Sequence, residues 1–198
     1  MSTLAATGRT NLLLLQSLTF VWMLLECVVS LISAVRAHSP ALLAFGADSL
    51  VELLSASLVV LALAPVFNRK QVDQTAGTLL FLLATVVGLT SILALAGKVQ
   101  PEASPLGIGI TAAALLVMPL LAWQKRKLAR RTQNSALAAD AVQSATCAYL
   151  AFITLAGLAL NAAFHISWAD SLAALGAVPI LIVEARRAIR GQSCGCCH

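Results

Sequence analysis

Charge is scarce in this chain. Only 11% of its residues are Asp, Glu, Lys or Arg, against 60% that are hydrophobic, and the mean hydropathy is +0.91. A soluble domain needs far more charge to cover its surface, so a water-soluble fold is excluded and an integral membrane protein is expected. Cysteines in a paired pattern are lacking too. Cys27 and Cys147 lie in apolar runs, and Cys194, Cys196 and Cys197 crowd the last five residues, which excludes a disulfide framework. No phosphate-binding glycine loop, low-complexity linker or soluble domain is legible. The net charge of +5 does not argue for nucleic acid until its location is known. No cleavable signal peptide is expected either, because the apolar run that follows Arg9 is long enough to span a bilayer.

What the chain has in quantity is apolar length. Six runs approach the roughly 20 residues a bilayer requires. They lie near Asn11–Val35, Ala41–Phe67, Ala76–Ala96, Leu106–Trp123, Ala136–Phe164 and Ala169–Val183. The expected fold is an all-α membrane protein, a six-helix transmembrane bundle of residues 1–190 with a Cys/His-rich tail at 191–198. With both termini cytoplasmic, the inner side holds Arg9, Arg69, Lys70, the Lys125–Arg131 run and Arg186, Arg187 and Arg190, leaving Arg36 and Lys98 outside. That asymmetry follows the positive-inside rule. The Lys125–Arg131 run is accordingly read as a topology anchor against anionic headgroups, rather than a site for a specific partner. Gly88, Gly157 and the pair in Gly107-Ile-Gly109 fit close helix contacts.

Against this background two acids stand out in Ala44-Phe-Gly-Ala-Asp-Ser-Leu-Val-Glu-Leu-Leu-Ser-Ala56. Asp48 and Glu52 are four residues apart in an apolar helix, one turn above the other on a single face. Each costs on the order of 2.5–3.5 kcal/mol at the bilayer centre unless it meets a polar interior, a partner or a metal. The bland alternative is a pair of protonated acids hydrogen-bonded to neighbouring helices; the preferred reading is a cation site. The fifth run, Ala138-Ala-Asp-Ala-Val-Gln-Ser-Ala-Thr-Cys-Ala-Tyr149, places Asp140, Gln143 and Cys147 at i, i+3 and i+7, again one face. Facing Asp48 and Glu52, a thiolate and an amide oxygen would complete a four-group shell suited to zinc and other thiophilic divalent ions. Asp140 and Glu26 are candidate pathway acids. Glu184 is expected to pair with Arg186 and Arg187 at the interface, and Asp170 to cap the helix it opens.

These features together resemble the cation diffusion facilitator family, whose members have six spans and cytoplasmic termini. The resemblance rests on Ser39-Pro-Ala-Leu-Leu-Ala-Phe-Gly-Ala-Asp-Ser-Leu50 leading into the acid-x-x-x-acid pair, on Ala139-Asp-Ala in the fifth run and on Ala169-Asp-Ser-Leu-Ala-Ala174 opening the sixth. It implies that Asp48 and Glu52 occupy the second-span ligand positions and Gln143 and Cys147 the fifth-span ones. Typical zinc members carry histidine and aspartate where Gln143 and Cys147 stand here, and a cytoplasmic metal-binding domain after the sixth span. The chain is therefore expected to be a short, divergent member without that domain.

The implied activity is transport, not enzymatic catalysis. A divalent metal cation of the zinc, cadmium or cobalt class would be exported as substrate, with protons as counter-ion and no permanently bound cofactor. The expected setting is the cell membrane, as a multi-pass protein whose partners are the cation and the bilayer, with no nucleic acid; a homodimer is left open. The tail ligands Cys194, Cys196, Cys197 and His198 could capture a soft ion, or form a redox-sensitive or acylated end. Two rivals remain at this stage: a non-transporting metal sensor or chaperone-docking protein acting through that tail, and a transporter for an organic cation.

Overall fold

A computed structural model of the chain describes residues 2–61, 69–132 and 135–190. Among the described residues the structure is entirely helical: α1 (Ser2–Ala37), α2 (Pro40–Leu61), α3 (Arg69–Leu95), α4 (Pro105–Thr132), α5 (Ser135–Phe164) and α6 (Ser167–Ile189). Five of these, all except α2, contain described stretches long and apolar enough to cross a membrane; in α2 the comparable described stretch is Pro40–Leu50. Leu14, Val35, Leu116 and Phe164 are among many large apolar side chains left exposed on the bundle's outside. In water that surface would be unstable; against lipid tails it is the expected exterior.

The helices outrun the apolar runs that announced them. The segment from Gln124 to Thr132, expected as a connector, continues α4 without a break. Its Lys, Arg, Gln, Leu and Ala are all strong helix formers, so the helix leaves the apolar layer and carries its charges into the interface. There Lys127 stacks over the Trp123 ring at 5.0 Å from its centroid. Lys125 is the exception in that run. It is fully buried, on the same stripe as Met118, Ala122 and Ala129, and so is not a headgroup contact.

The connections are short where the sequence allows. His38 and His165 adopt left-handed backbone angles and turn α1 into α2 and α5 into α6. At the same end the α3–α4 connection is tied back, with the Glu102 amide donating to the Ala37 carbonyl at 2.8 Å and the Asn161 side-chain amide to the Pro101 carbonyl at 3.0 Å. α4 packs chiefly on α5 and α3 on α6, whereas α2 touches α1, α3, α5 and α6. The helix carrying the two acids is thus surrounded by protein.

Close approach of these helices depends on small residues. A Cβ on Gly157 would meet the Ala173 Cβ at 2.6 Å, and one on Gly107 would meet Leu42 at 2.5 Å. Gly88 and Gly109 face open space, so those two glycines are not packing positions.

The start of α2 is fixed from another helix. Ser39 accepts from the Leu42 amide at 3.1 Å and donates to Asp170 at 2.7 Å, and the Ala41 amide donates to Asp170 at 3.3 Å. Asp170 lies on α6, so it caps α2 and not the helix it was expected to cap. A buried carboxylate at the positive end of α2 is favoured by the helix dipole and by the otherwise unpaired first-turn amide.

Candidate metal centre

Helical periodicity brings the second and fifth helices' polar faces together. Asp48, Glu52 and Cys147 each place one ligand atom within 4.8 Å of the others. The Cys147 thiol donates to Glu52 Oε1 at 2.9 Å and to Asp48 Oδ2 at 3.4 Å. The Gln143 amide nitrogen also donates to Glu52 Oε1. In a tetrahedral zinc shell, carboxylate and thiolate donors stand roughly 3.5 Å from one another. Asp48, Glu52 and Cys147 therefore already lie near ligand spacing, and small side-chain rotations would open room for an ion.

Two further acids surround this cluster. Glu26, fully buried on α1, accepts from Ser49 Oγ at 2.6 Å and from Trp22 Nε1 at 2.9 Å. Ser49 follows Asp48 directly, so Glu26 braces the acid-bearing turn of α2 from behind. Glu184 comes from α6. Its carboxyl lies beside that of Asp48, and its Oε2 is buried without a partner among the described residues. The expected pairing with Arg186 and Arg187 is met only in part: Arg187 acts on Glu184 electrostatically, but both arginines are exposed and neither closes to an ion pair with it, the ion pair found among the described residues being elsewhere. Sequence reading assigned Glu184 by its arginine neighbours. The signal it passed over was spacing, because Ala177, Leu181 and Glu184 fall at i, i+4 and i+7 on the core side of α6.

Asp140 is placed differently. It shares the Cys147 face of α5 but lies two turns away and is already engaged. Lys125 Nζ stands 2.9 Å from Asp140 Oδ1 and 2.9 Å from Ser144 Oγ, and Gln16 Nε2 donates to Asp140 Oδ2 at 2.8 Å. The lysine is 0% exposed and the aspartate 33%. The tail donors Cys194, Cys196, Cys197 and His198 lie outside the described residues.

The arrangement has one chemical bias. Asp48, Glu52, Glu26 and Glu184 converge on the middle of the bundle, while the lysine that enters it is committed to Asp140. Carboxyl groups in so apolar a setting must be protonated or meet a cation. A thiol among them adds affinity for borderline and soft metals.

Residues 71–192 match the family model described as the cation efflux transmembrane domain. The match covers more than half of the chain and takes in nearly all of α3 through α6, with Gln143, Cys147 and Glu184; Asp48 and Glu52 precede it. No curated protein matches the chain.

Proposed function

Because this chain belongs to the cation efflux family and is a membrane cation transporter, we propose that its cargo is a divalent heavy-metal ion exported from the cytoplasm. The ion binds Asp48, Glu52 and Cys147, with Gln143 orienting Glu52. The observation that carries this reading is the convergence of a thiol and two carboxylates, drawn from two helices, within 4.8 Å inside an apolar bundle. An organic cation would need only the charge; the buried thiol at 2.9 Å from Glu52 favours a metal.

Transport proceeds by alternating access, in which the bundle exposes this centre first to the basic, cytoplasmic end and then to the end holding the three short connections. No histidine lies within a span, so any returning protons are carried by the carboxyls and the thiol. These groups must lose protons to coordinate, and metal affinity therefore falls as pH falls.

The test is uptake of zinc, cadmium, cobalt and manganese into liposomes carrying the purified chain, across a pH series. Uptake should favour zinc or cadmium over manganese and rise with pH on the binding side. Cys147→Ser should cost about tenfold in cadmium affinity, a loss of about 1.4 kcal/mol, and should spare manganese. Equal loss for both metals would remove the thiol from the site, and no uptake of any metal would refute metal transport.

A further inference from the structure

Three protein donors leave a tetrahedral divalent ion one short. The cluster of Asp48, Glu52 and Cys147 thus raises the question of what fills the fourth position. Gln143 is one candidate, but its side-chain nitrogen is directed at Glu52. Its amide is used to hold a ligand, and its remaining oxygen is neutral.

Glu184 meets the requirement better. It stands on the core stripe of α6, below Ala177 and Leu181, and its carboxyl reaches across to Asp48. Its Oε2 is buried and has no hydrogen-bond partner among the described residues. A buried carboxylate oxygen without a partner costs free energy comparable to a lost hydrogen bond, and more when the group is charged. Arg187 is near enough to act on this acid electrostatically, yet both neighbouring arginines are exposed and neither closes to an ion pair with it. Glu184 lies outside the 4.8 Å group of Asp48, Glu52 and Cys147, so a turn of its side chain is what would bring the orphaned oxygen to a divalent cation beside Asp48.

We propose that Glu184 is the fourth ligand of the transported ion, so that the centre is built from α2, α5 and α6. The proposal rests on the metal-site reading above and extends it to a helix that the acid-pair motif did not include. Its consequence is selectivity. Three carboxylates with one thiolate form a harder, more negative shell than two carboxylates with a thiolate and an amide. That composition suits borderline divalent ions such as zinc and cobalt and disfavours monovalent copper. A ligand on α6 also means that binding clamps three helices together around the ion.

The experiment uses the full chain in lipid nanodiscs, with Cys194, Cys196 and Cys197 changed to Ser and His198 to Ala, so that tail donors do not contribute to the spectrum. Cobalt(II) is the probe: its thiolate charge-transfer band reports Cys147, and the intensity of its d–d bands reports coordination. Glu184→Gln should weaken cobalt binding by about tenfold or more. At saturating cobalt it should change the d–d intensity while the thiolate band persists. Glu184→Asp should recover part of the affinity.

Glu184→His supplies a gain of signal that does not depend on any loss. In the zinc-loaded variant, X-ray absorption should show imidazole outer-shell scattering absent from the unsubstituted background. Cobalt affinity and d–d bands unchanged in Glu184→Gln would overturn the proposal, as would zinc bound by Glu184→His without imidazole scattering. The underlying site fails separately: if Cys147→Ser leaves the thiolate band intact, or Asp48→Asn leaves affinity intact, the metal centre itself is misplaced.

Discussion

Two polar nodes share one face of α5, two helical turns apart, and they differ in how their charge is settled. At the first, Lys125 meets Asp140 at 2.9 Å and Ser144 at 2.9 Å, with Gln16 on the other carboxylate oxygen. Every charge there has a partner from the chain itself. At the second, Asp48 and Glu52 converge with Cys147, with Glu184 beside Asp48, and among the described residues no lysine or arginine forms an ion pair there; Arg187 acts on Glu184 only electrostatically, from an exposed position. A bundle that can place a buried lysine opposite one acid could have placed another opposite the second cluster. Where it has not, the missing positive charge belongs to something that comes and goes. The first node is a fixed part of the scaffold; the second, on the reading proposed above, is built for a cation.

The largest effect that could break this comparison is at the second node. Asp48→Asn and Glu52→Gln should each lower metal flux by about 100-fold, since each removes a charge that must replace the ion's hydration shell. Both variants should remain folded, because an uncharged amide is cheaper to bury than a carboxylate without a partner. Flux at the parental rate from either one, measured in liposomes at saturating zinc, would mean that the acids serve packing alone.

A smaller effect is expected at the first node, and it should have the opposite character. Asp140→Ala leaves a buried ammonium with only Ser144 and should cost about 3 kcal/mol of stability. Replacing the pair together, Lys125→Met with Asp140→Leu, should recover most of that loss, because apolar residues of similar volume often substitute for an ion pair at little net cost. Metal affinity in the double variant should stay within about twofold of the parent. Unfolding in detergent and equilibrium metal binding supply the two readings. A double variant that is stable but has lost affinity would show that the two nodes act as one.

How much of this was legible depended on whether the relevant spacing lay within one helix. The Asp48–Glu52 turn and the Gln143–Cys147 face follow from a 3.6-residue period applied to a single run, and so could be read directly. Their proximity could not, because no local pattern states that α2 packs on α5. Glu184 and Lys125 were misjudged for a shared reason. Each sits beside charged neighbours in sequence, and the neighbours suggested an interfacial role. The helix turns each of them about 100° from the adjacent residue and onto the buried stripe. Lys125 shares its stripe with Met118, Ala122 and Ala129, and Glu184 with Ala177 and Leu181. Counting apolar residues three and four positions back, instead of charges one and two positions on, would have placed both inside.

Asp170 extends the comparison to a third buried acid and predicts the smallest effect. It lies on the same α6 stripe as Glu184, at Asp170, Ala174, Ala177, Leu181 and Glu184, so helical phase alone would make it another ion ligand. Its partners argue otherwise. Ser39 Oγ at 2.7 Å and the Ala41 amide at 3.3 Å both donate to it, and they sit at the positive end of α2. Its charge is matched by a helix terminus, as that of Asp140 is matched by a lysine. Asp170→Asn keeps one acceptor and loses the charge, so it should cost about 1 kcal/mol of stability. Asp170→Ala, which leaves the Ser39 hydroxyl and the Ala41 amide unpaired, should cost about 2 kcal/mol. Asp48 lies two turns further along α2, so metal affinity should change by no more than about twofold in Asp170→Asn. Unfolding free energy and zinc affinity, measured on the same preparation, separate the two roles. Lost affinity with unchanged stability would move Asp170 from the scaffold to the ion's route.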